Sequence, residues 1–177
     1  MSNEKAHAFL NLTGTDHLGR TAQDYLKFTN DDWEACHNHV QWAFPSHVPS
    51  GYNPDAPVLD RTETFFKEMS VLEMLTIKNL VIAYMESLGI EMHGSNFMQT
   101  YKRDLDGEAY LPHWITPFNH NYLRLTRVLN ILYYVDIDWC EGLYRLLLRT
   151  AEQNPDAISR ETLVYWGKAS VGSIEYV

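Results

Sequence analysis

The chain has 177 residues, long enough for one domain with a proper core, and its composition is that of an ordinary globular protein rich in aromatic side chains. Its formal net charge of −9, with histidines counted neutral, argues against non-specific binding to nucleic acid or to an anionic membrane, while leaving room for a local basic patch. No N-terminal hydrophobic run reads as a signal peptide, and no apolar stretch is long and charge-free enough to span a bilayer, so a soluble, cytoplasmic protein with buried, unpaired Cys36 and Cys140 is expected.

In chain order, Met1 to Lys5 reads as a fraying end, and Ala6 to Leu12 shows no decisive period. Thr13 to Arg20 is a loop with two glycines, but it lacks the Gly-Lys-Ser/Thr ending of a phosphate-binding loop. Thr21 caps a short helix carrying Tyr25, Leu26 and Phe28. Asp31 to Pro45 then reads as one helix, with Asp31 or Asp32 at its N-cap and Pro45 forbidding continuation. At about 100° per residue, Trp33, Cys36, His37, Val40 and Phe44 share one face. Ala35, His39 and Trp42 lie nearly opposite, and Glu34, Asn38 and Gln41 form a polar stripe between them. A helix apolar on two sides is covered on both, so this stretch is expected to be the central element of the fold.

Ser46 to Asp60 is a loop stiffened by Pro49, Pro54 and Pro57. Asp60-Arg61-Thr62-Glu63 has the letters of a capping box with Asp60 at the cap, and Ser70-Val71-Leu72-Glu73 repeats the pattern before a core helix that Gly89 ends. Ile90 to Pro117 is expected to hold a short helix through Met92, Phe97, Met98 and Tyr101. A turn at Asp104-Leu105-Asp106-Gly107 and an aromatic loop from Tyr110 follow it. Three further helices are predicted. The first runs from Asn119 or Asn121 to Tyr134 or Val135, the second is capped by Asp138 and stopped at Asn154-Pro155, and the third is capped by Ser159 and reaches about Ala169. The tail from Ser170 alternates weakly. Strand-type alternation is otherwise almost absent, so the expected class is all-α: a single compact multi-helix domain with a central two-sided helix and long proline- and aromatic-rich loops.

Few residue patterns point to catalysis. His37 and His39 are two apart and diverge on a helix, so they cannot chelate one metal together; a helical zinc pair needs a spacing of four. No serine sits in a Gly-x-Ser-x-Gly elbow. Cys36 and His37 are adjacent and diverge, which disfavours a Cys–His nucleophile. The residues call for neither a metal nor another cofactor. The segment from Asn119 to Arg127 is more suggestive. Leu125, Val128, Leu129, Ile131, Leu132 and Val135 form an apolar arc, with Arg124 inside it and Arg127 outside. A guanidinium facing a core keeps its charge and must find carboxylate or carbonyl partners, for which Asp24, Glu34 and Glu63 are candidates. Trp33, Trp42, Tyr52, Tyr110, Trp114, Phe118 and Tyr122 are expected to lie near one another as aromatic walls.

Several of these pieces occur together in a recognisable order. Asp24-Tyr25-Leu26, Glu34-x-x-His37-x-x-Val40-Gln41-Trp42-x-Phe44-Pro45, Asn53-Pro54-x-Ala56-Pro57-x-Leu59 and Asn119-His120-Asn121-x-Leu123-Arg124-x-Thr126-Arg127 resemble the conserved domain of the opioid growth factor receptor (OGFr) family, from about Gly19 to about Trp166. The chain is similar to the stand-alone, microbial-type members. The resemblance implies a receptor-like binding role and brings no catalytic residues. Ala43 stands where the family pattern often has a large aliphatic residue.

The leading expectation is therefore a helical ligand- or partner-binding domain. Gln41, His120, Asn121, Arg124 and Arg127 would supply polar contacts to a small anionic ligand, peptide or protein, and Trp42 and Trp114 would supply walls. One alternative is a small-molecule enzyme using His37, His113 or His120 with Glu34, metal-assisted or not. The other is a structural or interaction subunit of a larger assembly.

Overall fold

The computed structural model describes residues 2–35, 37–49, 51, 53–103, 106 and 109–173. The expectations about Cys36, Tyr52, most of the Asp104–Gly107 turn and the end of the tail lie outside these residues. The described residues group into two compact units, one up to Tyr84 and one from Met85 onward.

The first unit opens with α1 (Ser2–Leu10), which takes in residues of the end expected to fray as well as most of the Ala6–Leu12 stretch without a decisive period. Ala6, Phe9 and Leu10 are fully buried. Three apolar anchors per two turns suffice for a packed helix even where the flanking letters blur the pattern. α2 (Ala22–Tyr25) carries the Thr21 cap as expected, in a reciprocal box with Asp24. α5 (Thr62–Glu68) and α6 (Val71–Ser87) follow the proline-rich loop, which Ser46 and Val58 close through a parallel bridge. The Ser70–Glu73 box forms: the Ser70 N–H donates to the Glu73 carboxylate, and the Glu73 N–H donates to the Ser70 hydroxyl. The box expected at Asp60 does not form, because α5 starts one residue later with Arg61 in the cap position and no side-chain bond there. α6 ends before Gly89, whose φ of +70° gives the left-handed stop expected of it.

The expected central helix is two short helices, α3 (Asn30–Ala35) and α4 (Val40–Ala43). A continuous helix would give the Asn38 carbonyl to the Trp42 N–H. Instead, Asn53 Nδ2 donates to that carbonyl, and the Trp42 N–H goes to the His39 carbonyl. The Asn38 side chain is held separately by Arg20 Nη2 at 2.8 Å. The cap also differs from expectation. Thr29, not Asp31 or Asp32, opens α3, because its hydroxyl accepts the Asp32 N–H while the Asp32 carboxylate accepts the Thr29 N–H and hydroxyl. The break changes the core. Trp33 and His39, which a single helix would turn well apart, meet edge to face at 4.9 Å, with Tyr25 and Phe28 edge-on to the same imidazole. Trp33 and Phe44 both reach Tyr84 of α6.

The second unit corrects the all-α expectation. The protein is mostly helical, but Ile90–His93 (β1) and Asn96–Gln99 (β2) pair antiparallel, with Ile90 opposite Gln99 and His93 opposite Asn96. Gly94 takes φ +66° at the first position of the two-residue loop, the pattern of a II′ turn. Three helices follow: α7 (Asn121–Val135), α8 (Ile137–Gln153) and α9 (Arg160–Ala169). The Ser159 cap and the Asn154 stop are as predicted; the α8 cap is Asp136, whose side chain accepts the Trp139 N–H, not Asp138. Gly142 of α8 lets the helix press against the hairpin turn, since a Cβ there would lie on the Ser95 carbonyl oxygen. Trp166 of α9 is fully buried and donates its indole N–H to the Tyr122 carbonyl at 3.1 Å.

Candidate functional site

Asp16 organises the loop between α1 and α2. It accepts hydrogen bonds from the Leu18 N–H, the Arg20 N–H and Nε, and the Tyr25 hydroxyl, at 2.7–2.9 Å, and Arg20 Nη2 approaches the same carboxylate at 2.6 Å. Burial pushes this carboxyl up, but the bonds from Arg20, Tyr25 and Leu18 outweigh burial and hold it below its ordinary value. Burial, then the Asp16 bond, keeps the Tyr25 phenol protonated. Upstream, the Thr13 and Gly14 N–H groups both donate to the Ala8 carbonyl, laying the loop back on α1. Gly14 is required for that approach: a Cβ would sit 2.8 Å from the Ala8 Cβ.

This rigid loop forms one wall of an open pocket of about 290 Å³, lined by Lys5, Ala8, Thr15, Asp16, His17, Trp42 and Asp55. Lys5 and Ala8 are one turn apart on α1, Trp42 comes from α4, and Asp55 from the proline-rich loop. The Trp42 ring packs on Phe9 from below and lies nearly parallel to His17, with ring centres 6.5 Å apart. Asp16 has spent its oxygens on the loop. Lys5, Thr15 and Asp55 have no hydrogen-bond or ion-pair partner among the described residues, and the His17 side chain has only its ring contact with Trp42.

Of the residues expected to form the site, Trp42 is in this pocket. Gln41 is beside it on α4, half-buried, with its Oε1 buried and without a partner among the described residues; the Trp42 indole N–H is likewise buried with no acceptor among them. The other five lie in the second unit. Trp114 is fully buried and donates to the Leu88 carbonyl and Gln99 Oε1 at 3.1 and 3.2 Å, pinning its loop to the hairpin. His120 precedes α7 but forms no side-chain cap; Asn119 does that work, its Oδ1 accepting the Asn121 N–H. Asn121 is fully buried, and its Oδ1 accepts from Arg124 Nη1 at 3.4 Å. Arg124 and Arg127 are both buried, so the expectation that only Arg124 lies inside is corrected. Of the carboxylates expected to meet Arg124, Asp24 is engaged by Thr21 and Lys27, and Glu63 by Lys67.

The expected aromatic wall is only partly assembled. Trp114 and Tyr122 meet edge to face at 6.4 Å, whereas Tyr110 is more than half exposed. Phe118, held at φ +60° between Pro117 and Asn119, is fully exposed. Cys140 is a buried free thiol, pushed up to about 12 by burial and by the Glu141 charge. Its Sγ donates to the Leu129 carbonyl, and it is no nucleophile. Among the described residues, no group of three or more His, Cys, Asp or Glu side chains is placed to hold a metal ion, and no helix is long and apolar enough to cross a membrane. Lys5, Thr15, His17 and Asp55 are absent from the sequence-based set. Each is an isolated polar letter in a loop or on a weak helix, and only their spacing in three dimensions makes them a group.

The chain is a mostly helical protein with an open pocket beside the loop between α1 and α2, lined in part by Trp42. The conserved region of the opioid growth factor receptor (OGFr) family matches residues 12–169, and the chain belongs to that family. No curated protein and no solved structure matches it.

Proposed function

We propose that this is a cytoplasmic binding domain, not a catalyst, and that it takes a small ligand in the pocket floored by Trp42. The observation that carries the reading is the contrast within that pocket. Asp16 is saturated by the loop it holds, while Lys5, Thr15, His17 and Asp55 around the same aromatic ring have no hydrogen-bond or ion-pair partner among the described residues. Small-molecule sites combine an apolar or aromatic surface with a few positioned polar groups, and groups held on a pre-ordered scaffold lose little freedom on binding. The family membership is in keeping with a recognition role. Trp114, His120, Asn121, Arg124 and Arg127 are candidates for a separate contact in the second unit.

Nitrogen-labelled protein tests this through its five tryptophan indole N–H resonances. The Trp42 signal is assigned by Trp42→Phe. Titration with a panel of small charged and neutral metabolites is expected to move the Trp42 resonance and leave Trp33 and Trp166 in place. A ligand that moves Trp114 alone would shift the site to the second unit, and a panel that moves none of them would overturn the ligand-binding reading.

A further inference from the structure

We infer that the Trp42 pocket selects a small zwitterion, a molecule of amino-acid size carrying one carboxylate and one ammonium group. The inference rests on the pocket reading above and adds the chemical class of its occupant. Lys5 and Asp55 line the same pocket from different segments, α1 and the proline-rich loop, yet they pair neither with each other nor with any other described residue. Elsewhere in this unit Lys67 pairs with Glu63 and Lys27 with Asp24, each with a partner three or four residues away. The pocket therefore presents a separated cation and anion. A ligand of either single sign would satisfy one and leave the other facing it without a counter-charge; a molecule carrying both signs satisfies both.

The remaining lining fixes orientation. His17 and Thr15 flank the saturated Asp16, so both are presented by a loop that its bonds to Leu18 and Arg20 hold together. The Asp16 carboxylate is already neutralised by Arg20 and does not compete with Asp55 for the ammonium group. Ala8 and the 3% of Trp42 that is exposed offer a small apolar surface for a short side chain. Size limits the occupant: at about 290 Å³ the pocket is at the low end of small-molecule sites, which run to about 1,000 Å³. A single metabolite of amino-acid size fits this volume.

Three probes with one carbon skeleton separate the possibilities: L-leucine (zwitterion), 4-methylpentanoate (anion) and 3-methylbutylamine (cation). Binding is read by the Trp42 indole resonance and by calorimetry on the full chain. L-Leucine is expected to bind at least about tenfold tighter than either singly charged analogue. In Lys5→Met that advantage over the amine should vanish, and in Asp55→Asn the advantage over the carboxylate should vanish. Both substituted side chains are exposed, so neither change threatens folding, which a thermal melt confirms. An anion or cation that binds as tightly as L-leucine, or a zwitterion that binds unchanged to both variants, overturns the inference while leaving a ligand pocket in place. If none of the three probes moves Trp42 while a neutral or larger molecule from the wider panel does, the class is also wrong. If nothing in that panel moves it, the pocket reading itself falls.

Discussion

Asn130 of α7 is 1% exposed, and neither polar atom of its amide has a hydrogen-bond partner among the described residues. A buried polar group left unpaired costs on the order of 1–3 kcal/mol. Asn130→Leu, close in shape, is therefore expected to raise the urea midpoint by the equivalent of about 1 kcal/mol; a lowered midpoint would mean that the amide has a role the fold depends on. Asp16 is the opposite case. Asp16→Asn removes a charge that four donor groups converge on and leaves Arg20 short of its partner, so a loss of roughly 3 kcal/mol is expected, at the lower end for a broken buried pair. Arg127 shows why single residues were hard to place from the sequence. The wheel put it outside the apolar arc, yet apart from Leu123 every residue of α7 from Asn121 to Ile131 is buried. Periodicity detects an apolar face; it does not reveal that a polar face is covered as well.

At the scale of elements, the pair Asn38 and Asn53 is the most informative. Asn53 is buried and claims the carbonyl that would otherwise continue α3 into α4. Asn53→Ala frees it and is expected to cost about 1 kcal/mol, measured by thermal denaturation, and to lengthen helix in this stretch, read from the amide shifts of residues 37–40. A helix-to-hairpin contact gives a second test. Gly142→Ala forces a methyl group onto the Ser95 carbonyl and should destabilise by about 1–3 kcal/mol. Gly167→Ala in α9 meets only the Tyr144 hydroxyl, at 3.2 Å, so it should be neutral or gain up to about 1 kcal/mol from helix propensity. Equal effects from the two changes would contradict the close packing of α8 on the hairpin turn. The hairpin itself was signalled faintly: Gly94-Ser95 is a two-residue loop, but four-residue strands hold too few alternations to outvote a helix of the same letters.

For the whole molecule, acid stability follows from two buried carboxylates in the first unit. Asp16 is held below its ordinary value as described. Glu73 is raised by burial but lowered further by its bonds from Ser70 and by His7, whose Nδ1 lies at 2.7 Å. A carboxyl depressed in the folded state contributes stability that is complete above its unfolded value and is lost as the pH falls through its folded value. The chain should thus hold its urea midpoint at neutral pH and lose it progressively as the pH drops below the ordinary values of 4.5 for Glu73 and 3.8 for Asp16. Asp16→Asn should flatten the lower part of that curve; an unchanged slope would mean the carboxylate contributes little.

What the sequence determined by itself is the local chemistry. The Thr21, Ser70 and Ser159 caps, the Gly89 and Asn154 stops and the three C-terminal helices rest on residues a few positions apart, which interact whatever the rest of the chain does, and the family shows in the order of short motifs along the chain. The tertiary structure alone decided where α3 and α4 separate, which face of α7 is covered, and that Lys5, His17, Trp42 and Asp55 surround one pocket. Each of those outcomes depends on a partner more than ten residues away, such as Asn53 for the Asn38 carbonyl, and periodicity along one segment carries no trace of a partner on another.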